Sequence, residues 1–341
     1  MLGYLTDISA MVKGLRGRVM RKRVGAGLAL FALAGASIFI TLTHKSSPKL
    51  DGTLIYHRYS SYQAWDATLW TIDLPTGALT QVGQAWRSMI SPINAHFSAD
   101  GQLITFMGSA AGLPENEWDV FTSRWNGREW SEPTNLTGPN GARDEDPKFS
   151  PDGTRIVYKE DGVLVSMAPD GSGKSYLTKG KPESSMPYVT ANGKDILFER
   201  GGDIYLLKDG AEIKMYAGAG ESSYYPIGLD NTSFLYTRVQ STRHDAIMRG
   251  FFDGSKSTSY FFNSTDWDTS DSYPYSDGSR YIFYVTGDYL IPHGGYNLAF
   301  ADLKNGKRYD IDEFYRKVRT TDINTEEQEL GPAWSLTRFN N

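Results

Sequence analysis

The chain contains no cysteine, so any nucleophilic, acid–base or metal chemistry falls to imidazole, carboxylate, phenol and guanidinium groups. Four of its five histidines lie in the body of the sequence: His57, His96, His244 and His293. Imidazoles can ligate a divalent metal, and one can accept a proton near neutral pH. No HxH or HExxH spacing occurs, so only a fold that converges distant segments would make a histidine rim. Tyr59, Tyr62, Trp65, Tyr289 and Tyr296, with Arg58, Arg143, Arg238 and Arg243, add ring faces and guanidinium groups suited to a carbohydrate. A Tyr–His–Arg set also suits β-elimination on a uronic-acid polymer. Arginine neutralises the carboxylate, while tyrosine or histidine moves the proton. The candidates for that work are His96, His244, His293, Tyr59 and Arg143.

A second group is acidic. Asp144, Glu145, Glu183, Glu221 and Asp271 each fall just ahead of a short apolar strand pattern. Brought to one rim, with His57, Tyr62, Trp65, Tyr289 and Tyr296, they would bind a cation, a basic peptide or a sugar. The competing account is plainer: solvated turn carboxylates, and histidines hydrogen-bonded to carbonyls between packed strands. Other chemistries lack their motifs. There is no GxSxG elbow, no Walker loop and no dinucleotide fingerprint.

What must position these residues is a repeat. The stretch Asp144–Tyr158, DEDPKFSPDGTRIVY, reads as an acidic start, a short strand, a tight turn and a second strand. Related copies are His96–Phe106, Pro187–Phe198, Pro226–Tyr236 and Pro274–Tyr284. The turn residues Gly101, Gly153, Gly193, Asn231 and Gly278 are 52, 40, 38 and 47 residues apart. Periods of this length belong to propeller blades or helical repeats, and two-residue alternation with glycine turns selects blades. A sixth copy is split. Leu330–Ser335 (LGPAWS) has the look of a first strand without its second, and Asp51–Tyr56 (DGTLIY) is a turn and second strand without a first. Joined, the two ends close a ring and remove the exposed sheet edges of an open array. The second unit is expected to begin at His96, after a long linking segment Gly83–Asn94, with His96 standing where other copies have proline. All four histidines are then expected at one mouth. The tail should form a helix over Glu313–Val318.

Phe149–Gly153 (FSPDG), Phe97–Gly101 (FSADG) and Tyr275–Gly278 (YSDG), followed by apolar strands, resemble the PD40-like propeller repeats of TolB and of tricorn-type proteases. Val189–Gly193 and Ile227–Asn231 match less closely. The resemblance covers roughly residues 51–335 and implies an all-β, six-bladed β-propeller. It implies little about activity, because such repeats serve scaffolds, binding proteins and enzymes alike.

The charge is uneven. The formal net charge of −5 divides into +5 for residues 1–43 and −10 for residues 44–341. So acidic a body argues against general nucleic-acid binding. Six basic residues from Lys13 to Arg23 precede Gly25–Thr43, an apolar run with no charge and about the length needed to cross a bilayer as a helix. The expected layout is a basic cytoplasmic segment (1–23), a transmembrane signal anchor (24–43), a tether (44–50) and a propeller (51–341) in the periplasm or outside the cell. Cleavage near Ala34–Gly35–Ala36 is the alternative. The expected role is recognition or assembly, with an envelope protein or a glycan as partner. The runner-up is a polysaccharide lyase. No cofactor is expected other than a divalent metal at the histidine rim.

Overall fold

A computed structural model describes residues 47–112, 117–138, 140–217, 220–239, 244–287 and 295–339. The anchor expected over 24–43 lies outside them, as do Tyr289, His293 and Arg243. No helix among the described residues is long and apolar enough to cross a membrane.

The compact unit Pro48–Asn341 is built from six four-stranded antiparallel sheets. The local reason is visible in the second strand of each blade. Leu54–Tyr56, Ile104–Phe106, Ile156–Tyr158, Ile196–Phe198, Phe234–Tyr236 and Ile282–Tyr284 all end on an aromatic ring, and all six rings are at most 1% exposed. These strands lie between neighbours in their own sheet and between sheets on both faces. They therefore read as short continuous apolar runs, not as alternating ones. The tight turns behave as their residues require. In the third blade the Ser150 hydroxyl donates to Asp152 Oδ1 at 2.5 Å, the Gly153 N–H donates to Ser150 O at 2.8 Å, and Gly153 takes φ +70°.

Blade one is closed by both ends of the body. The last strand, Gln328–Ser335, pairs antiparallel with Thr53–Tyr59, which continues into Thr68–Asp73 and Ala78–Val82. Its register sets Thr53 against Ser335 and Arg58 against Glu329. A buried ion pair locks this seam: Arg58 Nε donates to Glu329 Oε1 at 2.9 Å, and Arg58 also donates to Ile323 O at 2.6 Å and lies over the Trp70 ring. The helix after the sixth blade is Ile311–Tyr315, capped by Asp310, which accepts from the Glu313 N–H. It therefore starts and ends earlier than expected. The Tyr315 hydroxyl donates to Leu74 O and so ties the helix to blade one.

The second blade differs from its expectation. Its innermost strand is Met89–Phe97, so half of the expected linker, Met89–Asn94, is ladder. His96 consequently sits one position beyond the proline site and aligns with Lys148 of the third blade, each directly preceding the phenylalanine of its turn. The outermost strands of blades two, three and five shrink to Thr134–Asn135, Ser175–Tyr176 and Thr258–Ser259. Short outer edges leave little backbone for edge-to-edge pairing with another chain.

Candidate functional site

Each innermost strand slips register at one shared level of the ring, and that of blade two slips a second time between Ile90 and Ile93. The slipped residues are Gly331, Asn94, Asp146, Met186, Tyr225 and Asp271 in blades one to six. All are left-handed, with φ of +62°, +55°, +56°, +53°, +49° and +43°. A left-handed residue other than glycine costs about 1–2 kcal/mol, and a bulge re-aims the side chain it carries. Here five such side chains are turned into the central channel at one level.

They line a cavity of about 320 Å³ at the channel mouth. Its wall is rich in tyrosine and carboxylate: Tyr59, Tyr62, Tyr224, Tyr225 and Tyr296, with Glu145, Asp146 and Asp271, and it includes Lys159, paired with Glu145. The loop after the second strand of blade one, Thr53–Tyr59, supplies the rim. Tyr62 packs against Trp118 at 5.7 Å and edge-on to Tyr59 at 6.5 Å, while Trp65 stacks on Trp118 at 4.3 Å, behind the wall. Beyond the bulges the channel narrows to a cavity of about 40 Å³ that shares Asn94, Tyr225 and Asp271 with the first. Its lining adds His96, Lys148, Ser272 and Tyr273.

Both channel histidines serve the backbone. His57 Nδ1 accepts the Asn94 N–H at 3.3 Å, and its ring stacks on Tyr59. His96 Nδ1 accepts the Phe149 N–H at 3.2 Å, which leaves Nε2–H to meet the Tyr273 hydroxyl at 3.1 Å. Burial, helped by the nearby Lys148 charge, pulls both imidazoles down to about 3. Protonation would also cost each ring the backbone bond it accepts. Burial pushes Asp271 up to about 6 and drives the Tyr59, Tyr225 and Tyr296 phenols far above their ordinary range.

Of the residues singled out in the sequence, the cavity gathers His57, Tyr59, Tyr62, Glu145, Asp271 and Tyr296, with His96 below them. The others are elsewhere. Arg143 and Glu183 form a two-bond ion pair at 3.0 and 2.9 Å on the exposed rim. Glu221 pairs with Arg238 at 3.5 Å. Asp144 is buried, accepts from Asn140 Nδ2 at 3.1 Å, and is pushed up to about 7 by burial. His244 does not join His57 and His96: its Nδ1 lies 3.3 Å from Asp268 Oδ1, whose other oxygen accepts the Tyr296 hydroxyl. Among the described residues, no three His, Asp or Glu side chains converge to hold a metal ion.

Asn94, Lys148, Met186, Tyr224 and Tyr225 escaped the sequence reading. A signal was present. Asn94, Asp146, Met186 and Asp271 each stand seven residues before the turn glycine of their repeat, at Gly101, Gly153, Gly193 and Gly278. Aligning the copies on that glycine puts them in one ring.

No family model matches the sequence, and no curated protein matches it. Solved structures do. TolB from Acinetobacter baumannii superposes with a TM-score of 0.57 at 14% identity, covering 83% of this chain and 66% of that one. The putative TolB from Agrobacterium tumefaciens gives 0.55 at 15% identity, covering 76% and 88%. The fold is a six-bladed propeller, as in these two structures. An oligogalacturonate lyase from Vibrio parahaemolyticus gives 0.50 at 12% identity, covering 75% and 78%. The chain spans just under two thirds of the first of these neighbours. A fold shared with an enzyme does not choose a function, so the choice rests on the site.

Proposed function

We propose that this protein is a membrane-anchored, extracytoplasmic propeller whose channel mouth is a binding or assembly site for an envelope protein. The observation that carries this reading is the ring of bulged residues. Five strained positions at one level turn Asn94, Asp146, Met186, Tyr225 and Asp271 toward a tyrosine-lined cavity, and strain held at one level of a scaffold is a mark of a site. The chemistry of the wall suits recognition. Tyrosines offer large, rigid contact area with a hydroxyl at the tip. The anchor rests on the basic flank and the charge-free run of residues 25–43.

The lyase reading is disfavoured by the same wall. Among the described residues no arginine lines the cavity, and Arg143 and Arg58 are engaged with Glu183 and Glu329. The two channel histidines are poor bases near neutral pH.

The test is site-specific photocrosslinking in the native host. A benzophenone side chain in place of Tyr62, at the rim, should give one discrete crosslinked species that Tyr225→Ala abolishes. The same group in place of Tyr176, on the outer edge of blade three, should not give it. Unsaturated products released from a uronic-acid polymer by the purified chain would overturn the assignment in favour of the lyase.

A further inference from the structure

We propose that the channel mouth receives a cation from the partner protein, an arginine or lysine side chain inserted between the tyrosine rings and the Asp146–Asp271 carboxylates. The inference rests on the mouth being the binding site and names what enters it.

The first argument is the account of charges. Glu145 is paired with Lys159, Glu183 with Arg143, Glu221 with Arg238 and Glu329 with Arg58. Asp146 and Asp271 stand apart. Each is only 8% exposed and lines the cavity, and each has neutral partners alone. Asn94 Nδ2 donates to Asp146 at 2.8 Å. The Ser270 hydroxyl and the Gly331 N–H donate to Asp271 at 2.9 and 3.4 Å. Buried carboxylates are ordinarily paired with a cation, and among the described residues no cation contacts either one, since Lys159 of the same wall is held by Glu145.

The second argument is what lies beneath. Lys148 feels the charges of Asp146 and Asp271 but makes no hydrogen bond or ion pair with either. The Ser272 hydroxyl, 1% exposed on the same lower cavity, has no partner among the described residues. That cavity of about 40 Å³ has room for a few waters. The floor can therefore hydrate the head of an inserted side chain, while Lys148 competes with it for the carboxylate field.

The third argument is the wall. The tyrosines stay neutral, because burial raises their phenols, and they contribute ring faces and hydroxyls without charge. A cation among aromatic rings and desolvated carboxylates gains from both. An anionic ligand would meet two buried negative charges. The −10 charge of residues 44–341 draws a basic partner toward the body in the first place.

The test is calorimetric titration of the full chain in zwitterionic detergent with a blocked glycine peptide carrying one central arginine. Parallel titrations use the same peptide with citrulline or glutamate, a neutral chitooligosaccharide, and trigalacturonate. We expect saturable binding of the arginine peptide and at least a tenfold loss with citrulline. Asp146→Asn and Asp271→Asn should each cost about tenfold, and Lys148→Met should strengthen binding by removing the competing charge. Equal affinity for citrulline in the unmutated protein overturns the proposal without depending on any variant. So does weaker binding in Lys148→Met, preference for the glutamate peptide, or no saturable arginine binding. If the chitooligosaccharide or trigalacturonate binds instead, and Tyr225→Ala abolishes it, the mouth is still the site and only the cation is wrong. If no probe binds and the Tyr62 crosslink is also absent, both readings fall.

Discussion

The seam between Thr53–Tyr59 and Gln328–Ser335 makes a quantitative demand on one ion pair. Arg58 Nε meets Glu329 Oε1 at 2.9 Å, the Glu329 side chain is 0% exposed, and no water reaches it to replace the guanidinium. Removing one partner of such a pair leaves an uncompensated buried charge and costs about 3–5 kcal/mol. Arg58→Met should therefore lower the unfolding free energy of the propeller by that amount at pH 8. The loss depends on pH. Burial already holds Glu329 up at about 7 with the arginine nearby lowering it, and without Arg58 the carboxyl moves higher. An acid whose folded value lies above its unfolded value binds more protons when folded. Its contribution is fully present below the unfolded value, about 4.3, and is lost as pH rises through the folded one. At pH 5 the variant carries a protonated Glu329 that keeps the Thr325 hydroxyl at 2.7 Å. There it should lose the bonds to Ile323 O and the Tyr56 hydroxyl and the stacking on Trp70, about 1–3 kcal/mol. The double variant Arg58→Met with Glu329→Gln should recover part of the loss at pH 8 and flatten the pH dependence. Urea unfolding followed by tryptophan fluorescence reads all three, with unchanged slope as the check that the transition stays the same. A loss under about 1 kcal/mol at pH 8, or an equal loss at both pH values, would refute the claim that this pair holds the seam.

Other outcomes follow from the channel and the blades. Gly331→Ala puts a side chain at φ +62° with its Cβ 2.8 Å from the His57 ring, so it should destabilise the body by about 2–4 kcal/mol in the same urea assay. His96→Ala strips the partner from the Phe149 N–H and should cost about 1–3 kcal/mol in the same assay. The His57 and His96 imidazoles, held down to about 3, contribute stability that is present above the unfolded value near 6.5 and is lost as pH falls toward 3. His96→Phe should accordingly shift the acid unfolding midpoint downward. Asp144, held up at about 7 by burial, has the opposite sign: Asp144→Asn should gain stability relative to the parent as pH rises from 4 to 7.

Much of the fold was legible because its signals are local. The FSPDG-type turns, the aromatic-ended second strands and the missing partner strands at the two ends all sit within a few adjacent residues. The split blade followed from them, and Thr53 does pair with Ser335. What failed was the start of the second blade. Ser91–Ala95 carries two left-handed residues, Ser91 and Asn94, and two register slips, so the alternation that marks a strand is broken inside a strand. The linker reading and the misplacement of His96 both came from that break. Six residues singled out by type line the cavity: His57, Tyr59, Tyr62, Glu145, Asp271 and Tyr296. Lys148 was missed because a lysine before a phenylalanine in a strand looks like an ordinary solvent-facing position. It faces the channel only because Asp146 flips the backbone two residues earlier.

That flip also explains why no motif announces the function. The register slip is set by the two strands that flank it, and it recurs whether the residue is Gly331, Asn94, Asp146, Met186, Tyr225 or Asp271. Side-chain identity at the ring is thereby uncoupled from the fold, since the six second strands and their buried rings hold each blade regardless. The five that carry a side chain, Asn94, Asp146, Met186, Tyr225 and Asp271, can then change charge and size with less effect on packing than changes in the second strands, while every one of them acts on the same cavity. A scaffold built this way stores its specificity in residues spaced about forty to sixty apart in sequence and gathered around one channel in space. The two left as carboxylates, Asp146 and Asp271, carry the sign of that specificity. Exchanging them for asparagine should change what the channel accepts before it changes whether the ring folds.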